Sequence, residues 1–171
     1  MVSVDSSSLK VEEITLQSSS KKSLSKHEWT LTTGVSTTDS VDGPVIVVKV
    51  GKADFDEITR LDNLALGFTS THLRLTSQAI ADTALQANPV VAIGGDKAQQ
   101  VRAGVGGYKE DENRPTLLSY RLNLTSEEIY FSFSETIEVS NIDETQLTIL
   151  DRTDGPSSFT HTLKNVLTFI Q

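Results

Sequence analysis

The chain contains no cysteine. A disulfide framework, a thiolate metal site and a cysteine nucleophile are therefore all excluded. Basic residues are in deficit, with 15 Lys and Arg against 23 Asp and Glu and a formal net charge of -8. A surface of that sign repels a phosphate backbone and offers no patch that would release counterions, so nucleic acid is excluded as an expected partner. No apolar run approaches the length needed to cross a bilayer, and no membrane insertion is expected. The opening MVSVDSSSLK has no basic segment followed by an apolar stretch, so no signal peptide is visible.

Catalytic signatures are lacking as well. There is no Gly-x-Ser-x-Gly elbow and no His-Glu-x-x-His, and the three histidines, His27, His72 and His161, each fall in a strand-like segment. Alternation with Leu73 and Leu75 points His72 and Arg74 toward solvent. The run GVGGYK (104–109) follows no strand that would launch a phosphate-binding helix, and it reads as linker. An enzyme is not expected. Asn123-Leu124-Thr125 is a glycosylation triplet that matters only on a eukaryotic secretory route.

What the chain has in abundance is short alternating segments separated by Ser, Thr, Asp, Asn and Gly. EITLQ (13–17), HEWTLTT (27–33), PVIVVKV (44–50), THLRLT (71–76), PVVAI (89–93), TLLSYRLNL (116–124), EIYFSFS (128–134), TQLTIL (145–150) and FTHTL (159–163) all read as strands. Trp29, Leu31, Phe159 and Leu163 are expected in the core. Nine such segments argue for an all-β sandwich. Two stretches break the pattern. ADFDEITRLDNLA places Phe55, Ile58 and Leu61 at helical spacing, with Asp54 and Glu57 in capping-box form. TSQAIADTALQAN (76–88) reads as a further helical turn or two.

Residues 96–114, rich in glycine and ending in a charged run, form the expected linker between 1–95 and 115–171. Within it Glu110, Asp111, Glu112 and Asn113 crowd hard oxygen donors beside a junction. Asp111, Asn113 and Glu135 are the calcium candidates, against the alternative of a solvated acidic loop. No other cofactor is expected.

The two ends of the chain resemble each other. LKVEEITLQ (9–17) aligns with IDETQLTIL (142–150), so that Leu147 stands 133 positions after Ile14. HEWTLTT then aligns with SFTHTLK, with Leu163 standing 132 positions after Leu31. A register held over some thirty residues points to an internal repeat.

FSFSETIEVSNIDETQLTIL (131–150) resembles the motif of bacterial-type Ig-like repeats of S-layer and adhesin surface proteins, in which a strand ends in Phe-Ser-Glu before a polar turn and a second strand. The matching positions are Phe133, Ser134, Glu135, Thr136 and Ile137, then Ser140, Asn141, Ile142 and Asp143. LRLTSQAIADTALQANPVVAI resembles the closing motif of the same repeats at Asp82, Asn88 and Pro89. Ala87 stands where the family has glycine, and TALQ lengthens the turn. KEDENRPTLLSY resembles the junction that opens a new repeat.

The resemblance implies an Ig-like β-sandwich with one or two short helical insertions. It also implies a non-catalytic structural repeat of a large extracellular or cell-surface protein, serving as spacer, stalk or filament subunit, with an adhesive or carbohydrate-binding module as the alternative. Because the closing motif precedes the opening one, the sequence reads as the last part of one repeat followed by the first part of the next.

Residues 1–95 then lack an opening strand pair whose inward face is Leu118, Tyr120, Leu122, Leu124, Phe131 and Phe133. Burying six such side chains is worth roughly 9–18 kcal/mol as an upper bound, against about 5–15 kcal/mol for the stability of a whole domain. Two sources are open. The chain's own residues 116–134 fold back, or a neighbouring repeat or another copy donates them head to tail.

Overall fold

The computed structural model describes residues 2–139, 142–152 and 159–164. Ser140 and Asn141, two of the positions that carry the family resemblance, lie outside the described residues. Strand outweighs helix, and the strands form several small antiparallel sheets, a mainly-β fold. The chain divides into two compact units, residues 1–114 and 115–171.

The first unit is built around β2 (Ile14–Gln17), which pairs antiparallel with β3 (Glu28–Thr30) on one side and with β4 (His72–Leu75) on the other. A short β6 (Gln99–Gln100) extends the sheet beyond β4, and β1 (Val4–Asp5) pairs separately with β5 (Ala81–Asp82). Register sorts the side chains into two faces. Ile14, Leu16, Trp29, Leu73 and Leu75 share the apolar one. Thr15, Gln17, Glu28, Thr30, His72 and Arg74 share the other.

Against the apolar face packs a small core of Val11, Ile14, Leu31, Ile58, Leu64 and Ala79. Ile58 belongs to α1 (Lys52–Arg60). The helix buries Asp54 and Ile58, one turn apart, while Phe55 remains 43% exposed. Of the expected Phe55–Ile58–Leu61 stripe, Ile58 and Leu61 reach the core while Asp54 takes the place of Phe55, and Asp54 is no cap: Gly51 occupies that position. The Asp54 carboxylate turns inward and accepts from Trp29 Nε1 at 3.1 Å, Thr32 N at 2.9 Å and Ser36 Oγ at 2.6 Å. Gly51 is required where it stands, since a Cβ there would collide with the Val35 carbonyl. Ser36 Oγ in turn accepts from Gly51 N at 3.1 Å, fastening the loop to the start of the helix.

Two expected strands are extended chain with isolated bridges. In 44–50, Thr38 Oγ1 donates to Val47 O at 2.7 Å and Val47 N donates to Ser40 Oγ at 2.8 Å, so hydroxyls satisfy backbone groups that a neighbouring strand would use. In 89–93, Pro89 has no N–H to give, and the segment is held by Val90 N on Ile80 O and by a reciprocal pair between Ile93 and Leu75.

The helical turn expected over 76–88 is absent for a related reason. Lys10 N donates to Ala79 O at 2.8 Å, Val90 N to Ile80 O at 2.8 Å, and Ala81 N to Ser8 Oγ at 2.9 Å. Backbone groups a helix would use internally are spent on other segments. Much of the expected linker is also tied into the first unit. β6 joins its sheet, Val101 N donates to Thr71 O, and the Tyr108 hydroxyl donates to Ala65 O at 2.7 Å.

The second unit contains two hairpins. β7 (Leu117–Asn123) pairs with β8 (Glu128–Phe133), and β9 (Thr148–Leu150) pairs with β10 (Thr160–Thr162). β7 and β8 form a two-stranded sheet of their own. The turn between them puts Glu127 at φ 58°, and Asn123 Oδ1 accepts from Thr125 N at 3.0 Å, so the asparagine of the glycosylation triplet also shapes the turn. Leu163 is 9% exposed, as expected of a core residue, but Phe159 is 78% exposed.

Asp54 should dominate the stability of α1. Asp54→Ala orphans a buried indole N–H, a backbone N–H and a hydroxyl, and should cost about 3–5 kcal/mol in urea unfolding. Glu57→Ala breaks only an exposed pair with Arg60 and should cost less than about 1 kcal/mol.

Candidate functional site

The calcium candidates divide between the units. Asp111 Oδ1 accepts from Asn113 N at 3.0 Å, a local turn in which the two residues are two positions apart, and Glu135 belongs to the second unit. Among the described residues no three His, Asp or Glu side chains gather as a metal would require. The shape of 111–113 comes from a side chain closing on its own backbone.

The closing-motif residues do meet. Asp82 accepts from Ala84 N at 3.1 Å, from Asn88 N at 2.9 Å and from Asn88 Nδ2 at 2.8 Å. Hydrogen bonds from Asn88 and Ala84 hold its carboxyl below the usual carboxylate range. The residues between Asp82 and Asn88 are thereby pinched at the neck into a closed loop, with Leu85 fully exposed at its tip. The lengthened turn is accommodated without losing the Asp–Asn contact.

An open groove of about 360 Å³ lies beside the Asp54 cluster, lined by hydroxyls of Ser6, Ser7, Thr33 and Thr37 together with Glu12 and Leu9. It contains no aromatic ring on which a sugar could stack.

His72 is 7% exposed, not solvent-facing as its alternation suggested. The polar face of the sheet is covered in its turn: Gln17, fully buried, donates through Nε2 to Ser19 O at 2.7 Å and Gly95 O at 2.8 Å. Single 3-10 turns at Lys22–Leu24 and Gly95–Lys97 supply that cover. Gly95 has Lys22 Cβ and Arg74 Cδ close by. Glu28 links Lys22 at 3.6 Å and Arg74 at 3.5 Å. The clue in the sequence was Gln17, a polar residue that ends β2, the strand paired on both sides.

The strongest candidate for an interaction surface is β7–β8. Tyr120 stands opposite Phe131, Leu122 opposite Ile129, and Leu117 opposite Phe133 across a bulge. Phe131 and Phe133 lie with ring centroids 6.3 Å apart. Tyr120 is 65% exposed and Leu122 46%. The reverse face is polar, with Arg121 stacked 4.6 Å over Tyr130 and the Tyr130 hydroxyl donating to Glu128. A two-stranded sheet is marginal alone, and this one leaves Leu117, Tyr120 and Leu122 half-exposed while Ile129, Phe131 and Phe133 are partly buried.

The two outer hairpins share their geometry. Thr15 pairs with Thr30 as Thr148 pairs with Thr162, and the threonine hydroxyls lie 2.8 Å apart in the first pair and 3.0 Å in the second. Leu31 N donates to Ile14 O at 3.0 Å, and Leu163 N to Leu147 O at 2.9 Å. A 3-10 turn immediately precedes each, at Val11–Glu13 and Glu144–Gln146. The caps of the two turns differ: Asp143 accepts from Thr145 N at 3.0 Å, whereas Lys10 ahead of Val11–Glu13 makes no side-chain cap.

Burial lowers the pKa of His72 from its ordinary value of 6.5. The unfolded chain then takes up the proton first, so stability should fall as pH drops from the ordinary histidine value through the folded one, and be level above about pH 7.5. His72→Asn should flatten denaturant midpoints between about pH 7 and 5. A midpoint that still falls equally in the variant would assign the effect elsewhere.

In comparison with known proteins, no family model, no curated protein and no solved structure matches this chain.

Proposed function

We propose that the chain is a non-catalytic structural repeat of a large extracellular or cell-surface protein, an Ig-like sandwich acting as spacer, stalk or filament subunit. The observation that supports this reading is the duplicated hairpin: a 3-10 turn followed by two strands occurs twice, in one register and with the same threonine pair. Repeat arrays are built by restating one such unit along the chain. The resemblance to bacterial-type Ig-like repeats agrees with it, and so does the direct Asp82–Asn88 contact at the closing motif.

Its mechanism is mechanical, with stacked domains holding a terminal element away from a surface. Neighbouring repeats or further copies of the chain are its partners. Calcium at Asp111, Asn113 and Glu135 would stiffen the junction.

The second reading, an adhesive or carbohydrate-binding module, would use the serine and threonine residues and Glu12 of the open groove, binding through hydrogen bonds without ring stacking. A glycan array separates the two. The spacer should give no saturable signal, whereas saturable binding abolished by Glu12→Ala would establish the adhesive module. If calcium acts at the junction, millimolar calcium should raise the melting temperature, and an unchanged melt removes the metal. The parent polypeptide should contain further copies spaced near the 133 positions that separate Ile14 from Leu147. A parent sequence without them would end the array reading.

A further inference from the structure

The extended segment 44–50 uses one of its two edges. Thr37 and Lys49 exchange backbone hydrogen bonds, Val47 O accepts from Thr38 Oγ1 at 2.7 Å, and Val47 N donates to Ser40 Oγ at 2.8 Å. Val47 and Lys49 thus turn their main-chain groups toward 37–40. Successive residues of an extended chain direct these groups to opposite edges, so Ile46 and Val48 present theirs on the far side. Among the described residues neither makes a main-chain hydrogen bond there.

The side chains complete an open β edge. Ile46 and Val48 are half-buried, with Val48 packed against the core, whereas Val45 is 72% exposed and Val47 59%. Edges are ordinarily blunted by charge or proline. Val45-Ile46-Val47-Val48 has neither, Pro44 stands at one end, and the single charged side chain of the segment, Lys49, is already paired with Asp39.

The partner this edge fits is its own copy. Antiparallel pairing about a two-fold axis at Val47, the midpoint of 44–50, sets Ile46 opposite Val48 of the other copy and Pro44 opposite Val50. In that register Ile46 and Val48 exchange both backbone bonds on each side of the axis. Pro44, which has no N–H to give, falls at the outermost pair, where its carbonyl alone accepts from Val50 N. Moving the axis to Ile46 or to Val48 leaves Val50 or Pro44, respectively, without a partner inside the segment. Val47 meets its own copy across the axis. Each Lys49 lies beside the other copy's exposed Val45, so the two lysines stay apart and the carbon stem of each covers a valine.

We propose that segment 44–50 is a dimerisation edge through which two copies of this chain join side by side as a closed, two-fold pair. The contact goes beyond the repeat reading and does not rest on it, since pairing between chains and recurrence of copies along a parent sequence are measured separately.

Sedimentation velocity on the full chain over a concentration series tests this. The weight-average mass should rise to that of a dimer and level off. Val47→Lys and Val47→Glu each set like charges against one another at the axis and should raise the dimer dissociation constant about tenfold or more, while their equimolar mixture should pair as the wild type does. Circular dichroism and urea midpoints should match the wild type, because the Val47 side chain is exposed. The chain has no cysteine, so Val47→Cys introduces a lone thiol. Facing residues of a non-hydrogen-bonded pair stand about 4.5 Å apart between Cα atoms, within disulfide reach, and this variant should oxidise to a covalent dimer. Val45→Cys, more than about 13 Å from its own copy in this register, should not.

A wild-type chain that stays monomeric at every concentration would overturn the proposal, as would association that continues past a dimer. If the wild type dimerises and both charged variants dimerise equally well, or their mixture fails to pair, the edge is not the contact. Should a charged variant lose its fold, the cysteine variants decide. Equal cross-linking of Val45→Cys and Val47→Cys, or none from either, removes the two-fold register and the proposal with it.

Discussion

The first unit depends on a carboxylate. Its fully apolar core is small, six buried side chains drawn from the sheet, α1 and the loops between them, and such a core does little to fix the angle at which a nine-residue helix lies. Asp54 supplies that definition by accepting hydrogen bonds from an edge strand, a loop backbone and a loop hydroxyl at once. Burial alone would raise its pKa. Hydrogen bonds from Ser36, Thr32 and Trp29 outweigh that effect and hold the group below its ordinary value. Its stabilising contribution is therefore complete above the unfolded carboxylate range and lost as pH falls through the folded pKa. A directional polar contact does here what close packing does in a larger core.

A comparable economy governs the irregular segments. Hydroxyls of Thr38, Ser40 and Ser8 and the carboxylate of Asp82 satisfy backbone groups across gaps that strands would otherwise bridge. The chain is rich in serine and threonine, and it uses them as local partners for the main chain. Regular strands consequently stay short, and the sheets stay small. Exposed valines such as Val45 and Val47 follow from the same arrangement, since their segment is held by its backbone and not by burial of its side chains.

The second unit restates part of this plan with fewer resources. Its β9–β10 hairpin repeats the β2–β3 register, but β2 has β4 on its other side, while β9 pairs with β10 alone among the described residues. The preceding β7–β8 hairpin places Tyr120, Phe131 and Phe133 on one face and Tyr130 on the other. Apolar surface held at that level of exposure is characteristic of elements whose partner lies elsewhere.

Periodicity determined most strand positions. Alternation in 13–17, 27–33, 71–76 and 116–134 was visible because each segment has one wet and one apolar side, and the threonine-bearing hairpins could be aligned because their register depends on residues close in sequence. The same alternation could not reveal that His72 is buried, since the cover over its polar face comes from turns some fifty residues before it and twenty after it. Nor could it show that Asp54 points inward, because a capping box and a buried acceptor have the same spelling until the tryptophan and serine that donate to it are brought near. The sequence by itself determined which segments extend and which resemble each other. Tertiary structure alone decided which polar groups are enclosed and which apolar faces stay open, because burial depends on what distant parts of the chain place on top.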